Sequence, residues 1–398
     1  LNLILFFNFL NSIVKYGKIQ IIDFDNSIHT FGSTGPYCKI KFHNKSVKRK
    51  LLFNPELYVG ELYVDKELSI EEGTLEIFID IITKNEVNIH KNIFHRLFYI
   101  LSSRLYNMIE KNYIGSSKKN VQHHYDIDES VYKLFLDKDM QYSCGYFHND
   151  NVSLDQAQID KKTHLIKKLN IKKEKTKVLD IGSGWGGMAL QIAKDTGSYV
   201  KGITLSNNQY DTSVQRTKKM NLENLVSFKI EDYRNIKEKY DRIISVGMFE
   251  HVGKRNYSVF FKKIKEILED DGVMVLHSIG NKEAPAGTNP WITRYIFPGG
   301  YIPSMSEVIK EIENVGLFVN DVEILRLHYA NTLKLWRRNF LNNKDKILNI
   351  LDEKFIRMWE FYLLTSEYSF RNMGNVVFQL VISKKQEAWP LTRNFIYN

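Results

Sequence analysis

The sequence predicts an α/β fold: a doubly wound, mostly parallel sheet with a helical lid, preceded by a small α+β N-terminal domain. Three observations predict it. From about residue 120 onward, short apolar runs alternate with amphipathic helical stretches, the pattern of a parallel sheet covered by helices. The first of those runs ends in a glycine-rich turn that opens a helix. Before residue 90 the pattern differs, with apolar and polar positions alternating between turn signals.

Taken in order, the chain starts LNLILFFNFLNSIVKYGK, where Leu3, Phe6, Phe7, Leu10, Ile13 and Val14 roughly follow a helical period. The apolar part is too short for a membrane span and is broken by Asn residues. It lacks the basic start of a signal peptide. A helix packed on its own domain is favoured over a helix lying on a membrane. The first residue is Leu1 rather than Met, which leaves the native start open. KIQIIDFDNSIHTFG reads as a hairpin turning near Asp25 and Asn26, and CKIKFHNKSVKRKLLFN continues the strand character. GELYVDKELSIEEGTLEIFIDIITKN reads as short helices punctuated by Gly73. These stretches make a first domain of residues 1–90. Residues 91–118 form a helical connector closing with the polar GSSKKN. Residues 119–398 form the larger domain. KVLDIG, YVKGITLS, VSFKIEDY, DRIISVGM and VMVLHSIG are its five candidate strands, and a helical insert contains WITRYIFPGGYIPS. FRNMGNVVFQLVISKK supplies a late strand.

Composition narrows the class. With 398 residues, 43% hydrophobic and 26% charged, the chain can build a core and is not disordered. A net charge of +10 permits nucleic acid, anionic lipid or acidic substrates without choosing among them. No recognition domain or aromatic-interleaved basic motif supports nucleic acid. Cys38 and Cys144 make neither a disulfide framework nor a metal array and fit a reducing compartment. His123 and His124 are adjacent and point apart, so no metal site is expected. The basic run Ser46–Lys50 reads equally as a solvated face or as a contact for anionic head groups.

VLDIGSGWGGMAL places Gly182, Gly184 and Gly187 directly after a strand and at the start of a helix. Glycines let the backbone approach a ligand, and the helix N-terminus offers free N–H groups. The same spacing marks NAD and FAD domains, which need an acid at the end of the next strand. Here that stretch is GITLSNNQ, with Thr204, Ser206 and Gln209 and no acid. Asp180 just before the glycines matches the LDIG-type turn of methyltransferases instead.

With these pieces the chain resembles the cyclopropane fatty acid synthase family and its mycolic acid cyclopropane synthase relatives. The resemblance covers most of the chain, through HHYDIDESVYKLFL, MQYSCGYF, LDIGSGWGG, GITLSNNQ, DRIISVGMFEHVG, HSIG, YIFPGGYIPS, HYANTLKLW and RMWEFYLLTSEYSFR, in that order. It implies a Rossmann-like S-adenosylmethionine-dependent methyltransferase domain. By resemblance, Tyr142, Ser143, Asp180, Gly182 and Gly184 hold the methionyl end of S-adenosylmethionine or shape its turn. Thr204 and Gln209 hold the ribose, and Asp232 meets the adenine edge. Cys144, Glu250, His277, Ile279 and Tyr329 match residues that hold a bicarbonate ion, Ile279 through its backbone. The chain departs from the family at Asp128 and Glu129, where Gly-Asn is usual, and at Ser183, where Cys is common.

The implied reaction is conversion of the cis double bond of unsaturated phospholipid acyl chains into a cyclopropane ring. An alkene is a weak nucleophile, so it must be aligned with the sulfonium methyl in a dry pocket. Positive charge then develops on carbon, and a base removes a proton so that the ring can close. Glu250 beside an anion is repelled unless a proton is shared. It is therefore expected to accept a hydrogen bond from the bicarbonate OH or to orient His277. The alternative is a related C- or N-methyltransferase acting on another lipid or a small amine. The resemblance also implies a cytoplasmic protein peripherally associated with a membrane through its N-terminal domain, and it allows a homodimer.

Overall fold

The computed structural model describes residues 2–91 and 129–397. Nearly all of the expected connector, with His123 and His124, lies outside the described residues. The chain divides into two compact units. One holds residues 2–91 with Gly287–Phe297 and Leu333–Gly374; the other holds 129–286, Pro298–Thr332 and 375–397.

In the first unit, β1 (Lys18–Ile22) and β2 (Ile28–Gly32) form the expected hairpin, with Asn26 at φ 64 in its turn. β3 (Tyr37–Phe42) runs parallel to β1, and β4 (Leu68–Glu72) runs antiparallel to β3. Two local expectations fail. VKRKLLF is the helix Val47–Phe53, built from good helix formers with Val47 and Leu51 buried four apart. LSIEE is β4 rather than helix. Thr74 accepts from the Ile77 N–H at 3.1 Å and starts a new helix, Leu75–Lys84, just after it. The helix Asn2–Ile13 packs on its own unit, with Phe6, Phe9 and Ile13 buried and the Phe6 ring 6.1 Å from Phe42. Of the basic run, Lys48 pairs with buried Asp23 and Lys50 with Glu67 at 3.0 Å, leaving Arg49 exposed. The helix Pro290–Tyr295, from the expected helical insert, and the helix Glu353–Asn372 belong to this unit. Buried Glu367 joins Arg337 at 3.2 Å and Arg371 at 2.9 Å, and Arg337 also reaches Glu76 at 3.3 Å.

In the second unit, seven strands run in the order β10-β11-β9-β8-β5-β6-β7. β5 (Lys177–Ile181), β6 (Tyr199–Thr204), β7 (Val226–Ile230), β8 (Tyr240–Val246) and β9 (Leu268–Asn281) are the five expected strands, all parallel. β11 (Asn375–Ser383) is the expected late strand and lies antiparallel between β9 and β10. β10 (Phe318–Ile324) was not expected. Both faces of the central strands are buried: Leu179, Met274 and Leu276 enter one core, and Val178, Val273 and Val275 the other. From β5 the chain steps outward to β6 and β7, then returns to β8 on the other side of β5. Ligands bind such sheets beyond the carboxyl ends of the strands, where the order reverses.

Candidate active site

A cavity opens at that reversal, beyond the carboxyl ends of β5 to β8. β5 contributes Asp180, Gly182 and Gly184, β6 and its following turn Thr204 and Gln209, and the loop after β7 Asp232. Tyr142 and Ser143 come from the segment before the helix Leu154–Leu169. All eight residues expected around S-adenosylmethionine therefore line one cavity.

Local chemistry explains the wall. Gly182 has φ 80, and a Cβ there would lie 2.6 Å from the Met248 Cβ, so only glycine fits. Gly187 opens the helix Gly187–Thr196, and a Cβ would strike the Asp139 carboxylate and the Gln141 amide. The Thr204 hydroxyl donates to Gln209 Oε1 at 2.7 Å, which leaves the NH2 end of Gln209 to meet a ligand. Ser206 caps the next helix, accepting from the Gln209 N–H at 3.3 Å. Asp232 is held by Arg234, whose Nε and Nη2 donate to Oδ1 and Oδ2 at 2.8 and 2.7 Å. An adenine contact would use the second lone pair of Oδ2.

The wall is backed by groups the sequence did not single out. Lys161, fully buried, donates to Ser143 Oγ and to Gln141 Oε1, both at 2.8 Å. Gln158 Nε2 donates to the Ser143 carbonyl at 2.8 Å. Asp180 Oδ2 has no hydrogen-bond partner among the described residues. Burial pushes the Asp180 carboxyl up to about 7, against the pull of the Lys161 charge. His251, also in the wall, is driven down to about 4 by burial and is neutral at pH 7.

Cys144, Glu250, His277, Ile279 and Tyr329 are not part of this wall; they lie beside it. Cys144 follows Ser143, Glu250 lies two residues past Met248, and the His277 carbonyl accepts from the Gly247 N–H at 2.9 Å. Glu250 Oε1 accepts from the Ile279 N–H at 2.7 Å, while Oε2 has no partner among the described residues. Burial pushes the Glu250 carboxyl up to about 7. The Ile279 N–H is thus already used on Glu250. His277 Nδ1 faces the Gln379 NH2 at 3.1 Å, so Gln379 and not Glu250 orients the ring. Burial, with the Lys161 charge, drives His277 far below its ordinary range. The ring is therefore held neutral. The Cys144 thiol is buried and pushed far up, so it is no thiolate. The Gly145 N–H donates to Thr332 Oγ1 at 3.0 Å, which ties this segment to the helix His328–Asn342 that carries buried Tyr329. The departure at Glu129 is accommodated by Thr212, which donates to it at 2.9 Å, and by Lys133 at 2.7 Å.

Comparison with known proteins decides the family. Residues 114–380 match the family model of mycolic acid cyclopropane synthetase, and residues 6–93 match that of a domain of unknown function. The chain belongs to the mycolic acid cyclopropane synthetase family. It is 40% identical over 289 residues to a probable fatty acid methyltransferase of Pseudomonas putida, covering 70% of this chain and 73% of that one. It is 32% identical over 352 residues to the cyclopropane-fatty-acyl-phospholipid synthase of Escherichia coli K12, covering 87% and 88%. The solved mycolic acid cyclopropane synthase CmaA1, complexed with SAH and CTAB, superposes with a TM-score of 0.63 at 32% identity, covering 67% of this chain and 97% of that one. As a member of this family, the protein is an S-adenosylmethionine-dependent methyltransferase.

Lys161, Gln158, Arg234 and Gln379 carry no motif signal, and His251, inside DRIISVGMFEHVG, was not singled out. Gln379 lies on the late strand opposite His277 in register, and only the β9–β11 pairing reveals it.

Proposed function

We propose that the protein is a cyclopropane-fatty-acyl-phospholipid synthase. It transfers a methylene from S-adenosylmethionine to the cis double bond of unsaturated phospholipid acyl chains. The observation that carries this reading is the 352-residue match to the Escherichia coli enzyme of that name, which is too long to involve residues 119–398 alone.

S-adenosylmethionine supplies the carbon as a sulfonium methyl. A C–C bond forms to the alkene as the C–S bond breaks, with its electron pair leaving on sulfur. A C–H bond of the added carbon then gives its pair to close the ring. In this chain, Tyr142, Ser143, Gly182 and Gly184 position the methionyl end, Thr204 and Gln209 the ribose, and Asp232 the adenine. The family resemblance assigns the second residue set to a bicarbonate ion. The unpartnered Glu250 Oε2 needs a donor, which the ion's OH provides. By the family resemblance His277 and Tyr329 would meet its other oxygens, and Ile279 fixes Glu250 through its N–H. When bound, bicarbonate supplies the base that takes the proton.

Peripheral membrane association and a homodimer belong to the same reading. No helix among the described residues is long and apolar enough to cross a membrane. The β1–β2 hairpin exposes Phe24 and Ile28, apolar side chains suited to a lipid surface.

A second reading, addition of a methyl or methylene branch to a lipid without ring closure, is favoured by the fatty acid methyltransferase relative at 40% identity. Incubation with S-adenosylmethionine and vesicles of mono-unsaturated phospholipid separates them. The proposed activity adds one CH2 by mass, removes olefinic protons and gives upfield cyclopropane protons. A branched product, or no product from phospholipid, would overturn it.

A further inference from the structure

Three lysines of the helix Leu154–Leu169 are buried. Lys162 ends on Asp139 at 2.5 Å and Lys168 on Glu323 at 2.5 Å. Lys161 is different. It is fully buried, ends on the neutral oxygens of Ser143 and Gln141, and makes no ion pair among the described residues. Asp137, Asp139 and Asp180 act on it only through their fields, and a buried ammonium with no carboxylate in contact is costly.

An ammonium carries three donors and no acceptor, so both oxygens must accept from it. This fixes the Gln141 amide, whose Nε2 donates to Asp139 Oδ2 at 2.9 Å. It also fixes the polarity of Ser143: the hydroxyl hydrogen cannot point at Lys161. Ser143 lines the cavity, so its O–H is available to donate into it. The group best suited to receive an O–H bond beside a buried cation is an anionic oxygen.

We propose that Lys161 is a positioning residue that makes Ser143 a donor to the carboxylate of the S-adenosylmethionine methionyl group, and that this carboxylate adds the near negative charge that no ion pair gives the buried ammonium. The inference rests on the reading that Ser143 holds the methionyl end. It assigns that end's carboxylate, not its amine, to Ser143.

The charge of Lys161 is set by its surroundings. Burial and the Lys162 charge lower it, Asp137, Asp139 and Cys144 raise it, and the balance is about 8. Asp180 and His277 also lie within its field. A bound carboxylate raises it, so the ammonium should hold its proton more tightly in the complex.

Calorimetric titration of the full chain with S-adenosylmethionine and with its decarboxylated form, which keeps the amine and the sulfonium, tests this. The wild type should prefer the carboxylate-bearing ligand by about 10- to 100-fold, the scale of a charge-assisted hydrogen bond. Lys161→Met and Ser143→Ala should each cut that preference to about threefold or less while binding of the decarboxylated ligand changes little. A Lys161→Met protein that melts like the wild type and keeps its preference overturns the inference. Loss of preference in Ser143→Ala alone would sink the role of Lys161 and leave the Ser143 reading standing. Full preference in both variants would sink the two together. If Lys161→Met does not fold, lysine NMR of the wild type decides. The lysine titrating near 8 should move up by about one pH unit or more with S-adenosylmethionine and not with the decarboxylated ligand. Equal midpoints would overturn the inference.

Discussion

Glu250→Gln should reverse the sign of its effect on stability between acid and alkaline pH. Glu250 is buried, with Oε1 bonded to Ile279 and Oε2 unpartnered. Burial raises the carboxyl from its usual 4.5 to about 7. A folded-state value above the unfolded one gives stability that is present below 4.5 and lost as pH rises through about 7. The difference of 2.5 units, from 7 − 4.5, corresponds to about 3 kcal/mol at 1.36 kcal/mol per unit. Gln keeps the acceptor for Ile279 and has no proton to lose, but its NH2 lacks a partner, a cost of about 1–2 kcal/mol. Near pH 5 the wild type has already lost about 0.8 kcal/mol of that stability, so the variant should be less stable by only about 0.2–1.2 kcal/mol, and near pH 8 more stable by about 1–2 kcal/mol. Urea unfolding of the ligand-free protein at both pH values measures this, with two probes because the chain has two units. Turnover should fall by about 10- to 100-fold, the scale of a lost charge-assisted hydrogen bond to the ion that takes the proton. S-adenosylmethionine affinity should hold, because Glu250 is outside the cavity wall. The same destabilisation at both pH values would refute the raised carboxyl, and unchanged turnover would refute its place in the reaction.

Gly187→Ala drives a methyl group into the side chains of Asp139 and Gln141 and disturbs their bonds to Lys162, Arg216 and Lys161, which hold the segment carrying Tyr142 and Ser143. Calorimetry should show S-adenosylmethionine binding weakened by about tenfold or more, with about 1–3 kcal/mol of stability lost; wild-type affinity would mean the loop yields freely. Phe24→Asp with Ile28→Asp should cut co-sedimentation with anionic phospholipid vesicles by about tenfold or more, since each side chain is worth about 1.5–3 kcal/mol when buried. S-adenosylmethionine affinity should not change, and undiminished sedimentation would remove the hairpin from the membrane surface.

What was legible in the sequence follows burial. The five parallel strands read clearly because both faces are covered, so each is a short apolar run between glycines and helices. β10 did not, because FVNDVEI sits at the sheet edge, and of its seven residues only Asp321 is buried. Its acids serve the fold: Asp321 pairs with Arg393, and Glu323 receives His164 at 2.6 Å. The eight residues of the cavity were legible through the family resemblance, and the six at or just after the ends of β5, β6 and β7 meet because a sheet of this topology delivers successive strand ends to one place. The support behind them was not, because it comes from a helix whose sequence, LDQAQIDKKTHLIKKL, looks like a solvated surface.

That helix shows why polarity alone misleads. Gln158, Lys161, Lys162, Leu165, Lys168 and Leu169 follow the i, i+3, i+4, i+7 spacing of a core-facing stripe, and all are buried. Four of the six are polar. Apolar residues at those positions would pack more stably, since buried charges recover little more than their own desolvation cost. The facing groups explain the exception. Gln158 meets the Ser143 carbonyl, Lys161 meets Ser143 and Gln141, Lys162 meets Asp139, and Lys168 meets Glu323. Three of the four ends thus bear on the segment that carries Tyr142, Ser143 and Cys144. A loop held by hydrogen bonds from a rigid helix keeps its donors aimed before any ligand arrives, which side-chain packing alone would not ensure. The buried polar stripe is therefore the price in stability of a pre-set cavity wall, and its helical period was the one trace of it in the sequence.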